Sequence, residues 1–455
     1  MGGLSDERGS PMSEVLRLAF PVVVSYLGIM LMAFVDLLFV GRVGAVAIGA
    51  VGLGTAVFSW VLMFGVGLLT SLDYLVSHAY GAGKRDEGAR YLVQATWLSV
   101  ALGIPLTAFL LLVGAHPAWL GIEGEVGAQT GAYLQILAPS TMFSFLFIAF
   151  RQYMQAHGSA RAAMVIMILA NGINVVANWI LVFGHLGFPA LGVRGSAIAT
   201  LVSRFFMMAA MCAVLWVWDS KKNESRLRNV SWSFNRERTR KIVKLGLPSA
   251  FQMLLEVGVF AGATVLAARF SANDLAAHQL VLNLASLTFM VPLGIGSAAS
   301  VLVGQALGRE NRAAAREAGW RCLKLGVGFM ACSCVALLTF PDLILRGYTS
   351  DEGVIEAAKR LLFVAALFQL SDGAQAVATG VLRGTADTRT PLYANLGGHW
   401  LVGLPLGIAL GFGVGWGVRG MWIGLSAGLT VVAVALVWRW VRTTRGWVSA
   451  VPQRN

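Results

Sequence analysis

The chain has 455 residues, 57% of them hydrophobic and only 13% charged, against roughly 45–50% apolar and about 25% charged in soluble domains. With a mean hydropathy of +0.71, a soluble globular protein is excluded, and there is length for about a dozen spans of ~20 residues each. A net charge of +13 would point to nucleic acid in a soluble protein; here its placement reads as orientation in a bilayer, with no nucleic-acid partner.

In chain order, residues 1–14 are polar and lack the basic start and small-residue cleavage site of a secretory signal, so they are expected as a cytoplasmic segment ahead of a retained first helix. Apolar runs follow at 15–40, 45–78, 89–114, 126–155, 160–186, 191–218, 241–268, 274–303, 313–340, 353–382, 390–413 and 418–441. The second and fourth are longer than a bilayer requires, which implies tilt or protrusion. These runs predict an N-lobe of six helices over 15–218, a basic linker over 219–240, a C-lobe of six helices over 241–442 and a cytoplasmic tail over 443–455. With the N-terminus in the cytoplasm, 27 of the 35 Lys and Arg fall on that side, Arg151 among them, counted with the loop after the fourth span although it stands in the last residues of the 126–155 run. Seven fall on the other side and Arg204 lies inside a span. The asymmetry places both termini in the cytoplasm.

The two halves repeat. Pro21 and Pro248 each follow a short apolar lead, Gly65-Val-Gly67 recurs as Gly294-Ile-Gly296, and Gly192-Val-Arg-Gly195 recurs unchanged as Gly417-Val-Arg-Gly420. The offsets stay within 225–229 residues. Six helices per repeat is an even number, so both halves enter and leave on one side, related by a pseudo-two-fold axis along the membrane normal, a transporter pattern. Cys212, Cys322, Cys332 and Cys334 lie in or beside apolar runs without a CxxC, which reads as small buried hydrophobes rather than redox or metal chemistry.

Four of the 22 acidic residues lie inside spans: Asp36, Asp73, Glu256 and Asp372. A carboxylate at the bilayer centre costs ~2.5–3.5 kcal/mol even on the lenient insertion scale, so it marks a pathway, coupling site or ion pair. Glu256 is 12 residues from Lys244 and 13 from Arg269, and Asp372 is 12 from Arg360 and 11 from Arg383, which puts both near the midplane, roughly 17–19 Å from their anchors. Asp36 is 6 residues before Arg42, in the outer part of its span, and Asp73 is 11 before Lys84, toward the cytoplasm. Glu256, Asp372 and Asp36 are read as cation or proton sites in a cavity, with a structural hydrogen-bonded role as the alternative. Asp73 can instead reach cytoplasmic water or cap a neighbouring element. Arg204 reads as a buried partner for an acidic residue of the first half.

Asp36 has company. Asn171, Asn174 and Asn178 recur at helical spacing on span five, and Ser196 and Thr200 are i,i+4 on span six. One carboxylate with amide, hydroxyl and backbone oxygens suits a small hard cation, and the same carboxylate can carry a proton; interhelical hydrogen bonding is the plainer alternative. On span ten Phe368 and Asp372 are i,i+4, an aromatic face beside an anion that suits an organic cation or serves packing alone. His399, mid-span eleven, is read either as titrating or as a hydrogen-bonded structural histidine.

Several segments are similar to the multidrug and toxic compound extrusion (MATE) family, in its NorM-like branch. They are FVDLLFVGRVG around Asp36, LPSAFQMLLEVGVF around Glu256, AAHQLVLNLASLTFMVPLGIG on span eight, and the long run from Phe368 through SDGAQAVATGVLRGTADTR to GHWLVGLP. The resemblance covers the chain from Pro21 to about Arg442. It implies a V-shaped pair of lobes that exports amphipathic, often cationic compounds, driven by inward sodium or proton movement, with no cofactor. It also implies that Glu256 and Asp372, with Phe368, serve cation and substrate in the C-lobe. Asp36, Asn174, Asn178 and Thr200 match the N-lobe cation site, with Ser196 offering its carbonyl. Asn178 stands where another branch carries an aspartate, and Phe368 where NorM-like proteins present a tyrosine. SLDYLVSHAYGAGK on span two resembles the broader family, which makes Asp73 a branch-specific structural residue.

The expectation is therefore an all-α membrane protein of twelve transmembrane helices, a secondary multidrug antiporter working as a monomer in a bacterial inner membrane. A lipid-linked saccharide flippase of the wider superfamily is the alternative. It would want several Arg or Lys within the cavity, where this chain places four carboxylates against Arg204 alone. An enzyme is not expected, since HExxH and CxxC are absent from the sequence and the GxSxG match at Gly424-Leu-Ser426-Ala-Gly428 lies inside the last apolar run, away from the strand-to-helix turn that motif needs.

Overall fold

The computed structural model describes residues 11–221 and 226–448; most of the expected N-terminal segment, the middle of the linker and the end of the tail lie outside the described residues. Within them the chain is helical and has no strand. The first half comprises α1 (Pro11–Gly41), α2 (Ala45–Leu69), α3 (Ser71–Gly81), α4 (Arg85–Ala115), α5 (Gly124–Leu137), α6 (Ser140–Ala156), α7 (Arg161–Phe183), α8 (Val193–Lys221) and the short α9 (Arg226–Asn229). The second comprises α10 (Arg236–Ala267), α11 (Ala272–Gly308), α12 (Arg312–Thr339), α13 (Pro341–Arg346), α14 (Glu352–Arg383), α15 (Arg389–Asn395), α16 (Leu404–Ile408) and α17 (Gly417–Val448). Eleven helices are long and apolar enough to cross a membrane, and the bent pair α5–α6 brings the number to 12.

Side chains that compete for backbone groups, and prolines that lack an N–H, set the breaks. The long second run divides at Thr70, where Thr70 and Ser71 hydroxyls turn back to the Gly67 and Leu68 carbonyls at 2.6 and 2.9 Å. The fourth run, expected as one helix, bends by 46° between α5 and α6, because Pro139 cannot donate to the preceding turn. In the eleventh run, Leu396–Gly403 and Ala409–Gly413 wind as π-helix on either side of α16. Pro405 has no N–H for the Leu401 carbonyl, and the wider turn takes up the mismatch. Ser271, Asn311 and Asp351 cap α11, α12 and α14 by accepting from backbone N–H groups of the first turn.

By contact the chain divides into Met1–Val23 with Leu255–Asn455, and Val24–Leu254. Each half's first helix thus changes unit soon after its proline. Within the second unit the start of α10 packs on α2, where a Cβ on Gly67 would collide with the Ala250 backbone. Within the first, the start of α1 packs on α11, where a Cβ on Gly294 would lie 2.9 Å from Val23 Cα. The glycines of the repeated G-x-G motifs are therefore where one helix backbone rests on another.

The linker's last residues are tied down within the Val24–Leu254 unit. Buried Gln94 of α4 donates to the Ser233 carbonyl at 2.9 Å and accepts from Asn235 N–H at 2.7 Å. Arg238 makes a two-pronged pair with Glu87, both bonds 3.0 Å. Arg151, expected in a loop, belongs instead to α6 and is buried with its guanidinium 5.1 Å from the Tyr26 ring. A planar cation can lie on an aromatic face where a hydrated ammonium would not. The four cysteines form no disulfide.

Candidate functional site

In the Val24–Leu254 unit, α1, α7 and α8 converge on Asp36, which is buried with Asn174, Asn178, Ser196 and Thr200. The i,i+4 spacing on α7 points both amides the same way. Asn174 and Asn178 donate Nδ2–H to Asp36 Oδ1 at 3.0 and 2.7 Å. The Thr200 hydroxyl lies 2.5 Å from Asp36 Oδ2 and 3.1 Å from the Ser196 carbonyl, and its single proton serves the carboxylate. A carboxylate offers about four acceptor positions, so three neutral donors leave one open. The Oδ1 atoms of Asn174 and Asn178 and the Ser196 hydroxyl are buried without a hydrogen-bond partner. The Thr200 hydroxyl thus stands between the Ser196 carbonyl and Asp36. Asn171 is outside the cluster: it ties α7 to α1 through the Gly28 carbonyl at 3.0 Å.

Arg204 takes no carboxylate as partner among the described residues. Its Nη1 donates to Ser140 Oγ at 3.0 Å and its guanidinium carbon lies 4.2 Å from the Phe58 ring centroid. Nearby, Tyr133 is fully buried with its hydroxyl 3.2 Å from Thr55 Oγ1. Asp73 is buried in α3 and takes no part in the hydrogen bonding of Asp36; the Ser77 hydroxyl bonds to its carbonyl.

The other acidic pair lies in the unit that contains Leu255–Asn455. Glu256 of α10 is half-buried and accepts from Gln375 Nε2 at 3.4 Å. Asp372 of α14 is 5% exposed and lies one turn before Gln375, the donor to Glu256, so the two acids are linked across α10 and α14 through that turn. Phe368, one turn before Asp372, is edge-on to Phe260 at 6.0 Å and to Trp422 at 5.6 Å. This makes an aromatic layer beside the acids. His399 lies in the π-helical stretch, fully buried, with neither ring nitrogen hydrogen-bonded and the Phe260 ring 6.0 Å away. Of the two readings for it, the hydrogen-bonded structural histidine is not what is found among the described residues. The next residue, Trp400, donates to the Leu255 carbonyl at 3.0 Å and holds this stretch against α10.

Sequence reasoning passed over His278. It is fully buried between Thr264 Oγ1, 2.9 Å from Nε2, and Trp422 Nε1, 3.1 Å from Nδ1. An indole N–H only donates, so Nδ1 accepts and Nε2 carries the proton. A histidine inside an apolar span was the available signal. Among the described residues no group of three or more His, Cys, Asp or Glu is placed to hold a metal.

The MatE family model matches residues 21–180 and 248–409. The two matched segments begin at Pro21 and Pro248, the prolines that lead the internal repeats, and together they cover well over half of the chain. The chain belongs to the MatE family. As a MatE protein it is a membrane-embedded transporter and not an enzyme. Its relatives include the probable multidrug resistance protein NorM of Mesorhizobium japonicum, 36% identical over 94% of this chain and 93% of that protein. The protein of that name from Brucella suis is 33% identical over 97% and 95%. In fold, this MatE chain is similar to an outward-facing multidrug resistance MATE family transporter, with a TM-score of 0.87 at 21% identity over 97% of this chain and 98% of that one. A eukaryotic MATE transporter gives 0.84 at 22% identity over 96% and 98%.

Proposed function

We propose that the protein is a multidrug efflux antiporter, exporting amphipathic, mostly cationic compounds in exchange for sodium or protons by alternating access. It works as a monomer in a bacterial inner membrane with both termini in the cytoplasm. The observation that carries this reading is Asp36, a carboxylate buried within the spans, held by three neutral donors and by no ion pair. Relatives named as probable multidrug resistance proteins support the efflux role.

An uncompensated carboxylate within hydrocarbon costs ~2.5–3.5 kcal/mol or more. A site that must change the side it faces therefore does so at lower cost once neutralised, by a proton, by sodium or by a cationic substrate. Exchange follows when the occupants compete for the same carboxylates. The open acceptor position on Asp36 suits a proton or a sodium ion, and the unpartnered amide oxygens of Asn174 and Asn178 are the hard ligands sodium takes. Glu256 and Asp372 repel one another while both are ionised, so a single cation between them relieves two costs at once. The aromatic layer at Phe368 adds a surface for organic cations.

The deciding experiment is dye efflux from proteoliposomes under an imposed sodium gradient at fixed pH, and under a pH gradient without sodium. One gradient is expected to drive efflux in the parent and to fail in Asp36→Asn. Parental rates in both Asp36→Asn and Glu256→Gln would overturn the scheme. Gradient-independent movement of polyprenyl pyrophosphate saccharides would favour the flippase instead.

A further inference from the structure

Ser196, Thr200 and Arg204 are spaced four apart on α8 and so lie above one another along one face of the helix. Thr200 bonds to Asp36, and Arg204 comes one turn later. Its guanidinium is fixed by two contacts, the Phe58 ring at 4.2 Å and Ser140 Oγ at 3.0 Å. Of its five N–H donors, Nη1–H alone has a hydrogen-bond partner among the described residues. No carboxylate lies within ion-pair distance, and the side chain is only half-buried. A purely structural arginine inside a span would be expected to form an ion pair with an acid or reach the interface; this one acts on Asp36 through its charge without a direct ion pair. Its guanidinium is oriented, and most of its N–H donors have no hydrogen-bond partner among the described residues.

A planar guanidinium with adjacent free donors matches the two oxygens of a carboxylate. We propose that Arg204 is an anion-binding group of this transport site, taking the carboxylate of amphipathic zwitterions whose cationic end lies toward Asp36. Asp36, bonded to Thr200, and Arg204, one turn beyond Thr200 on α8, then form a pair of opposite charges complementary to a molecule that carries both. A purely cationic substrate uses Asp36 and gains nothing from Arg204. This rests on the efflux reading for the identity of the site, and it assigns Arg204 the part of discriminating substrates that carry a carboxylate from those that do not.

The test compares two dyes that differ in one group, a cationic rhodamine methyl ester and its free acid, which carries a carboxylate at the same position. Equilibrium binding to the purified full chain is measured by fluorescence polarisation, and efflux is measured in proteoliposomes. Arg204→Gln is expected to weaken binding of the acid by about tenfold or more, the scale of a lost charge-assisted hydrogen bond, while ester binding stays at the parental level or tightens, because a positive charge that acts on Asp36 is gone. Arg204→Lys keeps the charge without the fork, so acid binding falls to an intermediate level, again with the ester unchanged. If Arg204→Gln does not purify folded, the Lys variant decides by the same acid-to-ester ratio. An unchanged ratio, whether both dyes weaken together or neither does, overturns the proposal. Failure of the parent to move the ester down an ion gradient would overturn the efflux reading alone, since the binding ratio still reports on Arg204.

Discussion

The backbone of Ala250 lies directly on Gly67, so closely that a side chain at position 67 would have no room. Two residues after the other proline, Val23 lies in the same way on Gly294. Overpacking costs ~1–3 kcal/mol where neighbours can shift, and here the neighbour is backbone. Gly67→Leu and Gly294→Leu are therefore expected to lower the melting temperature in detergent and abolish efflux. Gly262, with nothing within 4 Å of a built Cβ, is the control: Gly262→Ala should leave both unchanged. Tryptophan fluorescence during a thermal ramp makes the measurement.

Among the described residues, Thr200 supplies the sole hydrogen bond to Asp36 Oδ2. Thr200→Val keeps the shape and removes the donor. A hydrogen bond to a charged group is worth ~1.5–3 kcal/mol, so the half-saturating concentration of the coupling ion should change by about tenfold or more. Asp36→Asn should remove ion dependence altogether. Initial rates of efflux across a series of ion concentrations separate the two outcomes.

Glu256 and Asp372 act on one another through their charges, so their effects should not add. Glu256→Gln and Asp372→Asn are each expected to reduce ion-driven efflux at least tenfold, with the double variant little worse than either single one. A double-mutant cycle on transport rates is the check; additive losses would mean two independent sites.

His278→Phe leaves the Trp422 indole N–H and the Thr264 hydroxyl without their present partner inside the α10–α11–α17 packing. The Thr264 hydroxyl keeps its bond to the Phe260 carbonyl at 3.0 Å, so the fully buried indole N–H is the group orphaned, at a cost of ~1–3 kcal/mol. The variant should melt several degrees lower while binding cationic dyes at the parental affinity once folded, which polarisation titration on the purified protein tests.

Much of the Asp36 cluster was legible because helical spacing is local: Asn174 with Asn178, and Ser196 with Thr200, share a face whatever packs against it. Three helices had then to meet for the donors to reach one carboxylate. Arg204 was visible as a charge inside a span; it acts on Asp36 through its charge, but its direct contacts are a hydroxyl and a ring, because a guanidinium can spread its charge over an aromatic face. Arg151 was misplaced into a loop for a similar reason: counting along the chain finds the ends of apolar runs, not the depth at which a cation can be sheltered. The bend at Pro139 and the π-helical turns around Pro405 follow from missing N–H groups. A proline marks where strain must be absorbed, while the surrounding packing decides how.

By itself the sequence determined a helical membrane protein, its two repeats and the few carboxylates inside its spans, because hydrocarbon makes every internal charge costly and so makes it stand out from composition alone. Only the tertiary structure decided what each charge touches. Asp36 received its three donors from two other helices, Glu256 and Asp372 came within reach across α10 and α14, and Arg204 came to rest on Phe58. Those contacts join residues more than 50 positions apart in the chain, and no periodicity within a single helix specifies which faces of different helices will meet.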